Sequence, residues 1–351
     1  MTIAGQAITY REFGDLDKVL KETHFEVEET KLKDDEIVLQ TLATSINPSD
    51  KVQILGVYTK GRLTDIGDEK QVYIGGNEGL FKVIHVGPTS KLKVNDWVIA
   101  KGAGFGTWRS VVYTNDSEVF KVSDDNDSLT FEQAATISVN PPTAIQLLEE
   151  IPDWKENDWL IQNMGNSQVS RFVTQIARHL NIKTISVIRS GKSDEEIKKL
   201  YDLGATKVIT EEEFAQPSFF SGLNKLTNNG NIRLALDSLG GPTTELLMKA
   251  LSHSGTMVTY GALLSQNISY PGGLQLLKNL TVKPYWLTYN SRINPASRAA
   301  SINKAIEYYK SGVFESIKFD QVTYEGGSLL KTYLEGIHKP GKQVVVYKLK
   351  L

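Results

Sequence analysis

The sequence of 351 residues contains no cysteine, and this absence removes several kinds of site at once. Without cysteine there is no disulfide, no thiolate nucleophile and no zinc site with cysteine ligands. The histidines are also few and have no close pair, so we expect no metal site. The five histidines are His24, His85, His179, His253 and His338.

The sequence also lacks an excess of charge of one sign and a long hydrophobic run. Its 39 basic and 41 acidic residues give a net charge of -2, so nucleic acid and anionic membranes are not expected partners. No apolar stretch approaches the roughly 20 residues of a membrane span. The first residues, MTIAGQAITYREFG, resemble neither a secretory signal nor a transit helix. We therefore expect a cytoplasmic protein, or a mitochondrial matrix protein if a leader has been removed.

The composition and length predict a globular protein with more than one domain. Hydrophobic residues make up 40% of the chain, and 351 residues are many for a single core. Residues 1–140 contain strand-like runs at 37–42, 80–86 and 97–100, separated by turn residues. Residues 141–290 alternate helical and strand-like patterns, as in a parallel sheet. We predict a β-rich catalytic domain at 1–140, a doubly wound nucleotide domain at 141–290, and a return to the first domain at 291–351.

Residues 159–189 are the most informative segment. An apolar run at 159–162 is followed by a turn with two possible helix caps, Asn166 and Ser167, by apolar residues at helical spacing, and by a β-branched run at 184–188. This order predicts a βαβ unit whose helix N-terminus binds a pyrophosphate. Gly165 is the only glycine of the turn, so the usual fingerprint is absent. A βαβ unit that binds no ligand therefore stays open as an alternative.

The second strand of this unit ends at Arg189, where NAD-binding folds usually place an acidic residue for the ribose 2′-hydroxyl. A cation at that position suits a 2′-phosphate instead, which indicates NADPH and reductive chemistry. Further elements are expected after it, and ligands in such sheets bind at the carboxyl ends of strands. The predicted strands are 207–210, 232–237 and 256–260, and the predicted helices are 194–203, one that opens at Pro242, and 301–311.

Short stretches along the whole chain resemble the medium-chain dehydrogenase/reductase superfamily. They are NPSD at 47–50, GVY at 56–58, GNEG at 76–79, GTW at 106–108 and TISVNPPT at 136–143. Within it, the chain is similar to the 2-enoyl thioester reductases of mitochondrial-type fatty acid synthesis, with colinear matches at 186–189, 234–241, 285–286 and 341–343. Zinc-dependent members carry Gly-His-Glu where this chain has GNE. The resemblance implies an α/β protein with a GroES-like catalytic domain, a Rossmann domain and no zinc.

The resemblance implies hydride transfer from NADPH to the β-carbon of a trans-2-enoyl thioester of coenzyme A or acyl-carrier protein, followed by protonation of the α-carbon. Tyr58 matches the catalytic tyrosine of the family, and a protonated phenol can donate to the thioester oxygen. Trp286 matches a tryptophan that lines the active site. For both side chains, packing as core aromatics stays open as an alternative.

The resemblance also implies cofactor contacts in both predicted domains. Arg189 would hold the 2′-phosphate, and Lys192 would partly replace a second arginine that close relatives carry at the position of Gly191. The implied contacts are Asn140, Thr143, Gly165, Asn166, Ser167, Gln168, Val169, Arg189, Ser190, Lys192, Tyr260, Gly261, Ala262, Leu263, Tyr285, Leu287 and Lys342.

Members of this family commonly form dimers by extending the sheet of the nucleotide domain. We therefore expect a homodimer, with residues 255–260 and 269–280 as the candidate interface. Two other functions stay open. One is an NADPH:quinone or enone reductase of the same superfamily. The other is a homologue that binds NADPH or a protein partner with little catalysis, which departures from the family pattern at Met164, Ser170, Gly191 and Ala262 motivate.

Overall fold

The computed structural model describes residues 2–28, 32–123, 129–265, 267–315 and 319–348. The chain divides into two compact units, the first formed by residues 1–139 and 316–351 and the second by residues 140–315. The sequence-based boundary at residue 290 therefore differs from the observed one at 315. The helix that follows residue 290 belongs to the second unit because Gln146 donates from Nε2 to the Ser301 hydroxyl at 2.8 Å.

The first unit consists mainly of strands. Its strands, numbered along the whole chain, are β1 (Thr2–Tyr10), β2 (Lys21–Glu28), β3 (Glu36–Ile46), β4 (Leu63–Ile66), β5 (Glu69–Ile74), β6 (Gly79–Val86), β7 (Trp97–Ala100), β8 (Val111–Asn115), β9 (Val119–Ser123), β16 (Asp320–Tyr324) and β17 (Gln343–Tyr347). Its helices are α1 (Leu16–Val19), α2 (Pro48–Ile54), α3 (Phe131–Ala135) and α13 (Leu329–His338). The three strands predicted in this region are confirmed as β3, β6 and β7.

Two sheets build this unit. One has the order β2-β1-β5-β4, and the other has the order β16-β17-β3-β6-β7-β9 with β8 paired to β3. Trp108 is completely buried between them and the last helix, α13: its ring stacks on Tyr333 with centroids 4.5 Å apart. Its indole Nε1 donates to the Ser45 carbonyl of β3 at 3.2 Å. The C-terminal segment is therefore part of the core of the first unit.

The second unit alternates strands and helices. Its strands are β10 (Trp159–Gln162), β11 (Lys183–Ile188), β12 (Lys207–Thr210), β13 (Ile232–Asp237), β14 (Thr256–Thr259) and β15 (Thr281–Pro284). Its helices are α4 (Asn140–Glu149), α5 (Gln168–His179), α6 (Asp194–Asp202), α7 (Glu211–Ala215), α8 (Pro217–Leu226), α9 (Pro242–Ala250), α10 (Gly272–Lys278), α11 (Leu287–Ile293) and α12 (Pro295–Lys310). The predicted βαβ unit is confirmed as β10, α5 and β11.

The six strands of this unit are parallel and lie in the order β12-β11-β10-β13-β14-β15. This is the order of a Rossmann fold, with a switch point between β10 and β13 where ligands bind at the carboxyl ends of the strands. The predicted doubly wound architecture is thus confirmed. β14 lies between two strands, so residues 255–260 cannot extend the sheet; the open edges are β12 and β15. β15 was missed because TVKP is short and partly polar.

Within the described ranges, no helix is both long and apolar enough to span a membrane.

Candidate active site

The turn after α2 carries Tyr58. Gly56 adopts a φ of 79°, and a Cβ at this position would lie 2.8 Å from the Phe13 Cβ, so glycine is required there. The backbone N–H groups of Val57 and Tyr58 both donate to the Val52 carbonyl, at 3.0 and 3.2 Å. The tyrosine side chain is partly buried. The backbone on the N-terminal side of Tyr58 is therefore held to the helix that precedes it.

Two amide side chains hold the other side of this turn. Gln53 donates from Nε2 to the Thr59 carbonyl at 2.8 Å and accepts from Asn77 Nδ2 at 3.0 Å. Asn77 also donates to Asp50 at 2.7 Å and accepts from the Gly104 N–H at 2.7 Å. Asn77 stands in the triplet where zinc-dependent members carry histidine. In this chain it connects α2, the Tyr58 turn and the loop around Gly104.

A buried ion pair lies beside these amides. Lys342 donates from Nζ to Glu78 at 2.7 Å and to Asn47 at 2.6 Å, with side chains only 7% exposed for the lysine and 1% for the glutamate. The second carboxylate oxygen of Glu78 accepts from the backbone N–H groups of Ser138 and Val139, at 3.2 and 3.1 Å. Burial acts to raise the pKa of Glu78, but the Lys342 charge and the hydrogen bonds from Lys342, Asn47 and Ser45 together outweigh it, and the pKa lies below its usual value.

Asp50 is the other buried carboxyl of this region. One oxygen accepts from the Asn47 N–H at 2.7 Å, which closes a capping box on α2, and the other accepts from Asn77. Burial raises the pKa of Asp50 to about 6. We call Asn47, Asp50, Asn77, Glu78 and Lys342 the buried polar cluster. Sequence reasoning selected only Lys342 from it, although the NPSD and GNEG stretches contain the other members.

In the second unit, the turn between β10 and α5 lies directly against β11. Gly165 donates its N–H to the Val187 carbonyl at 2.8 Å, and a Cβ on Gly165 would lie 2.6 Å from the Ser186 Cβ. Met164 adopts a φ of 46°, a backbone conformation that residues other than glycine rarely take. The one glycine of the turn thus stands where contact with β11 requires it, and Asn166 follows it in the tight turn.

The N-terminus of α5 is closed by serines. Ser167, and not Asn166, is the N-cap: it accepts from the Ser170 N–H at 3.2 Å and donates to the Ser170 hydroxyl at 2.9 Å. The hydroxyl of Tyr260, after β14, is enclosed near Ser167, Ser170 and Ser238, and burial raises its pKa. Gln168 and Val169 form the first helical positions. A capped helix start at the carboxyl edge fits a pyrophosphate despite the missing glycines.

Polar residues that end β10 and β13 connect the two strands at the switch point. Asn163 donates to the buried Asp237 carboxylate at 2.6 Å and accepts from the Ser238 N–H at 2.8 Å. The loop 260–263, which includes Gly261 and Ala262, is held there because Leu263 donates its N–H to the Ser238 carbonyl at 3.2 Å. Asn163 and Asp237 were not selected as cofactor contacts; the signal was a polar residue at each strand end, Asn163 directly after β10 and Asp237 as the last residue of β13.

The residues of α4 and of the segment after β15 that were predicted to line the site differ in how exposed their side chains are. Tyr285 is buried, and its hydroxyl donates to Gln146 at 3.0 Å. Burial raises the pKa of this phenol. Thr143, which lies close to the phenol, is buried as well. Trp286 is partly exposed, and its ring is nearly parallel to that of Tyr289, with centroids 6.3 Å apart.

Asn140 and Leu287 begin α4 and α11, and both are partly exposed. Asn140, Trp286 and Leu287 are therefore accessible to a ligand, whereas Thr143 and Tyr285 mainly build the core.

The segment after β11 contains the predicted 2′-phosphate residues. Arg189 and Ser190 are exposed, and the Ser190 hydroxyl donates to the carboxylate of Glu212. Lys192 donates from Nζ to Glu196 at 2.9 Å. We call these five residues the exposed charged edge. Neither carboxylate was expected at this place from the sequence.

Among the described residues, no group of three or more His, Asp or Glu side chains is placed to hold a metal ion.

Comparison with known proteins gives consistent results. Residues 169–301 match the family described as zinc-binding dehydrogenase. The chain is 42% identical to the mitochondrial enoyl-acyl-carrier-protein reductase 1 of Debaryomyces hansenii, over 98% of this chain and 99% of that protein.

Solved structures resemble the chain over the same extent. The heterodimer of the mitochondrial 2-enoyl thioester reductases Etr1p and Etr2p from Candida tropicalis matches with a TM-score of 0.94 and 35% identity, over 98% of this chain and 100% of that chain. The complex of Etr1p with NADP and crotonyl-CoA also matches with a TM-score of 0.94 and 35% identity, over 98% and 100% of the two chains.

Proposed function

The chain belongs to the family of the mitochondrial enoyl-acyl-carrier-protein reductases, in the medium-chain dehydrogenase/reductase superfamily, and we propose that it reduces trans-2-enoyl thioesters to saturated acyl thioesters with NADPH, in fatty acid synthesis. The observation that carries this proposal is the match, over nearly the whole chain, to a relative bound to NADP and crotonyl-CoA. The turn that presents Tyr58 and the capped start of α5 agree with it.

NADPH fits the carboxyl edge of the second unit. The backbone of Gly165, Asn166 and the first turn of α5 would hold the pyrophosphate, and Arg189 would pair with the 2′-phosphate. Asn140, in this proposal, meets the ribose or the nicotinamide carboxamide, and the loop 260–263 lies along the cofactor. When bound, NADPH supplies the hydride that goes to the β-carbon of the enoyl thioester.

Tyr58 is the proposed catalytic residue. Negative charge develops on the thioester oxygen as the β-carbon is reduced, and a phenol O–H aimed at this oxygen stabilises that charge. The same phenol is suited to pass a proton toward the α-carbon. The hydrogen bonds that Val52 and Gln53 make with the turn fix the backbone from which the Tyr58 side chain extends. Trp286 would flank the thioester or the nicotinamide.

The contacts of Lys342 favour a role other than the cofactor contact implied by resemblance. Two of its three N–H donors are engaged by Glu78 and Asn47. We therefore propose that it acts mainly as a positioning residue: it neutralises Glu78, which in turn holds the backbone at Ser138 and Val139, directly before Asn140 in the chain.

The activity is tested by following NADPH oxidation with trans-2-hexenoyl-CoA. The wild-type protein is expected to turn over this substrate, and Tyr58→Phe is expected to lower kcat by about 100-fold or more, because the phenol is both a donor to the oxygen and a proton source. Tyr113→Phe, which removes a phenol from β8, is the matched control and should keep the wild-type rate.

An undiminished rate in Tyr58→Phe would remove the proposed role of the phenol. Quinone turnover far above enoyl thioester turnover would favour the quinone or enone reductase.

We further propose that the chain forms a homodimer through the edge strand β15 and the helix α10 beside it. Leu276 and Leu277 of α10 are 81% and 80% exposed, an unusual state for two adjacent leucines. The double variant Leu276→Lys, Leu277→Lys should sediment as a monomer in analytical ultracentrifugation, while Leu180→Lys, on the exposed end of α5, should remain dimeric. A monomeric wild-type protein would contradict the proposal.

The compartment that we propose is the mitochondrial matrix, in place of the cytoplasm expected from the sequence, because the curated relative is named mitochondrial. Cell fractionation with a matrix marker tests this, and recovery with cytoplasmic markers would contradict it.

A further inference from the structure

The strand pairing brings an acidic residue to the position that follows β11. β12 pairs with β11 in parallel, with Ile188 opposite Thr210. The residues that follow the two strands therefore leave the sheet side by side. Ser190 stands two residues after the end of β11, and Glu212 stands two residues after the end of β12. The Ser190 hydroxyl donates to the Glu212 carboxylate, and this bond lowers the pKa of Glu212, which is ionised at neutral pH.

A second carboxylate engages the other predicted cation of this edge. Glu196 accepts from Lys192 at 2.9 Å with one oxygen and from the Ser193 N–H at 3.1 Å with the other, as part of the capping box of α6. Ser190, expected from the resemblance to contact the cofactor, and Lys192, expected to contact the 2′-phosphate, thus both contact carboxylates. Arg189 is exposed at the same edge, where its charge can attract a phosphate.

The two forms of the cofactor differ in what they meet here. A ribose 2′-hydroxyl can donate to a carboxylate, which is the way acidic residues at this edge select NADH in Rossmann folds. A 2′-phosphate carries between one and two negative charges and is repelled by a carboxylate a few ångströms away. With the adenosine ribose bound at this edge, Arg189 would attract a 2′-phosphate and Glu212 would repel it.

We propose that Glu212 is a specificity-determining residue that weakens the preference of this enzyme for NADPH over NADH. The inference rests on the proposed function, because it takes the adenosine ribose to bind after β11. Glu212 is the anionic member of the pair and Ser190 the neutral one. Removal of the Glu212 charge therefore removes the repulsion and weakens the bond that the Ser190 hydroxyl makes to residue 212, so that this hydroxyl can donate to the phosphate instead.

Calorimetry with two fragments of the cofactor tests the inference without any turnover. Glu212→Gln keeps the size of the side chain and removes its charge. The variant should bind adenosine 2′,5′-bisphosphate about three- to tenfold more tightly than wild type at low salt, and the gain should shrink at high salt because both groups are exposed. Binding of 5′-AMP, which has a free 2′-hydroxyl, should stay equal or weaken. The ratio of Kd for NADH to Kd for NADPH should rise accordingly.

Two further variants separate the contact from the general charge. Glu211→Gln removes the same charge from the neighbouring residue, and it should change the Kd for the bisphosphate by less than about twofold. Arg189→Ala should weaken bisphosphate binding about tenfold or more, which locates the phosphate at this edge.

Failure of the inference differs from failure of the proposed function. If the wild-type protein binds the bisphosphate and Glu212→Gln leaves its Kd unchanged, or changes both fragments equally, the role of Glu212 is overturned and the reductase proposal stands. If neither NADPH nor NADH binds and enoyl thioester is not reduced, both are overturned.

Discussion

The buried polar cluster of the first unit and the exposed charged edge of the second unit contain similar chemical groups in opposite environments. Lys342 and Glu78 are almost completely enclosed, and both Glu78 oxygens and two of the three Lys342 N–H donors have specific protein partners. Lys192 and Glu196 form a contact of similar length, but their side chains are 25% and 44% exposed. The comparison shows that solvent exposure, and not the length of the ion pair, determines how much the charges contribute to stability and whether they can bind a ligand.

Burial raises the free-energy cost of a charge that has no partner. An unpaired ion in the interior destabilises a fold by several kcal/mol, whereas an exposed pair contributes roughly 0–1 kcal/mol and is screened by salt. The buried polar cluster can therefore hold backbone segments in place, but it cannot exchange partners with a ligand at low cost. The exposed charged edge contributes little to folding, and for this reason its members can rearrange around a phosphate.

The largest effect is expected from breaking the buried pair. Lys342→Met should lower the free energy of unfolding by about 3–5 kcal/mol, because it leaves the Glu78 carboxylate buried without its counter-charge. Urea unfolding followed by circular dichroism measures this loss. The double variant Lys342→Met, Glu78→Gln should recover part of it. Equal stability of Lys342→Met and wild type would show that water replaces the ammonium.

The second effect concerns pH. The pKa of Asp50 is about 6 in the folded protein, against about 3.9 when unfolded. Between these values the unfolded state releases a proton that the folded state keeps, so the free energy of unfolding should fall as the pH rises from about 4 to 6. The fall should approach about 3 kcal/mol.

Unfolding measured at several pH values tests this dependence on Asp50. Asp50→Asn should lack its part of the slope, while Asp68→Asn, at an exposed position of the same unit, should retain the wild-type slope. A slope that is identical in wild type and Asp50→Asn would assign the pH dependence to other groups.

The smallest effect is expected at the exposed charged edge. Lys192→Met should change the free energy of unfolding by about 0.5 kcal/mol or less, because the Lys192–Glu196 contact is a partly exposed ion pair at the N-terminus of α6. The small difference should disappear in high salt, which urea unfolding at two salt concentrations would detect. A loss above about 2 kcal/mol would show that the Lys192–Glu196 pair contributes to stability as much as a buried pair does, and would contradict the contrast between the two regions.

Much of the second unit could be predicted because its signals are local. Short runs built on adjacent apolar residues, WLIQ and KVIT, form β10 and β12 at the predicted places. A helix whose apolar residues repeat at helical spacing forms α5. Neither the helix α10 nor the strand β15 was predicted, because the exposed leucines of α10 and the partly polar strand β15 do not show the regular spacing of apolar residues that marks such elements. The strand β15 forms through its pairing with β14, where Thr256 lies opposite Thr281.

The sequence by itself determined the parallel nucleotide-binding sheet, the cation at Arg189 and the absence of cysteine ligands, because strand and helix periodicity and residue type are properties of neighbouring positions. Only the tertiary structure decided that Lys342 meets Asn47, 295 residues away in the chain, and that Glu212, at the start of α7, accepts from Ser190 after β11. Such contacts follow from which strands pair and in what register. A linear pattern can locate the strands but does not state which side chains their ends bring together.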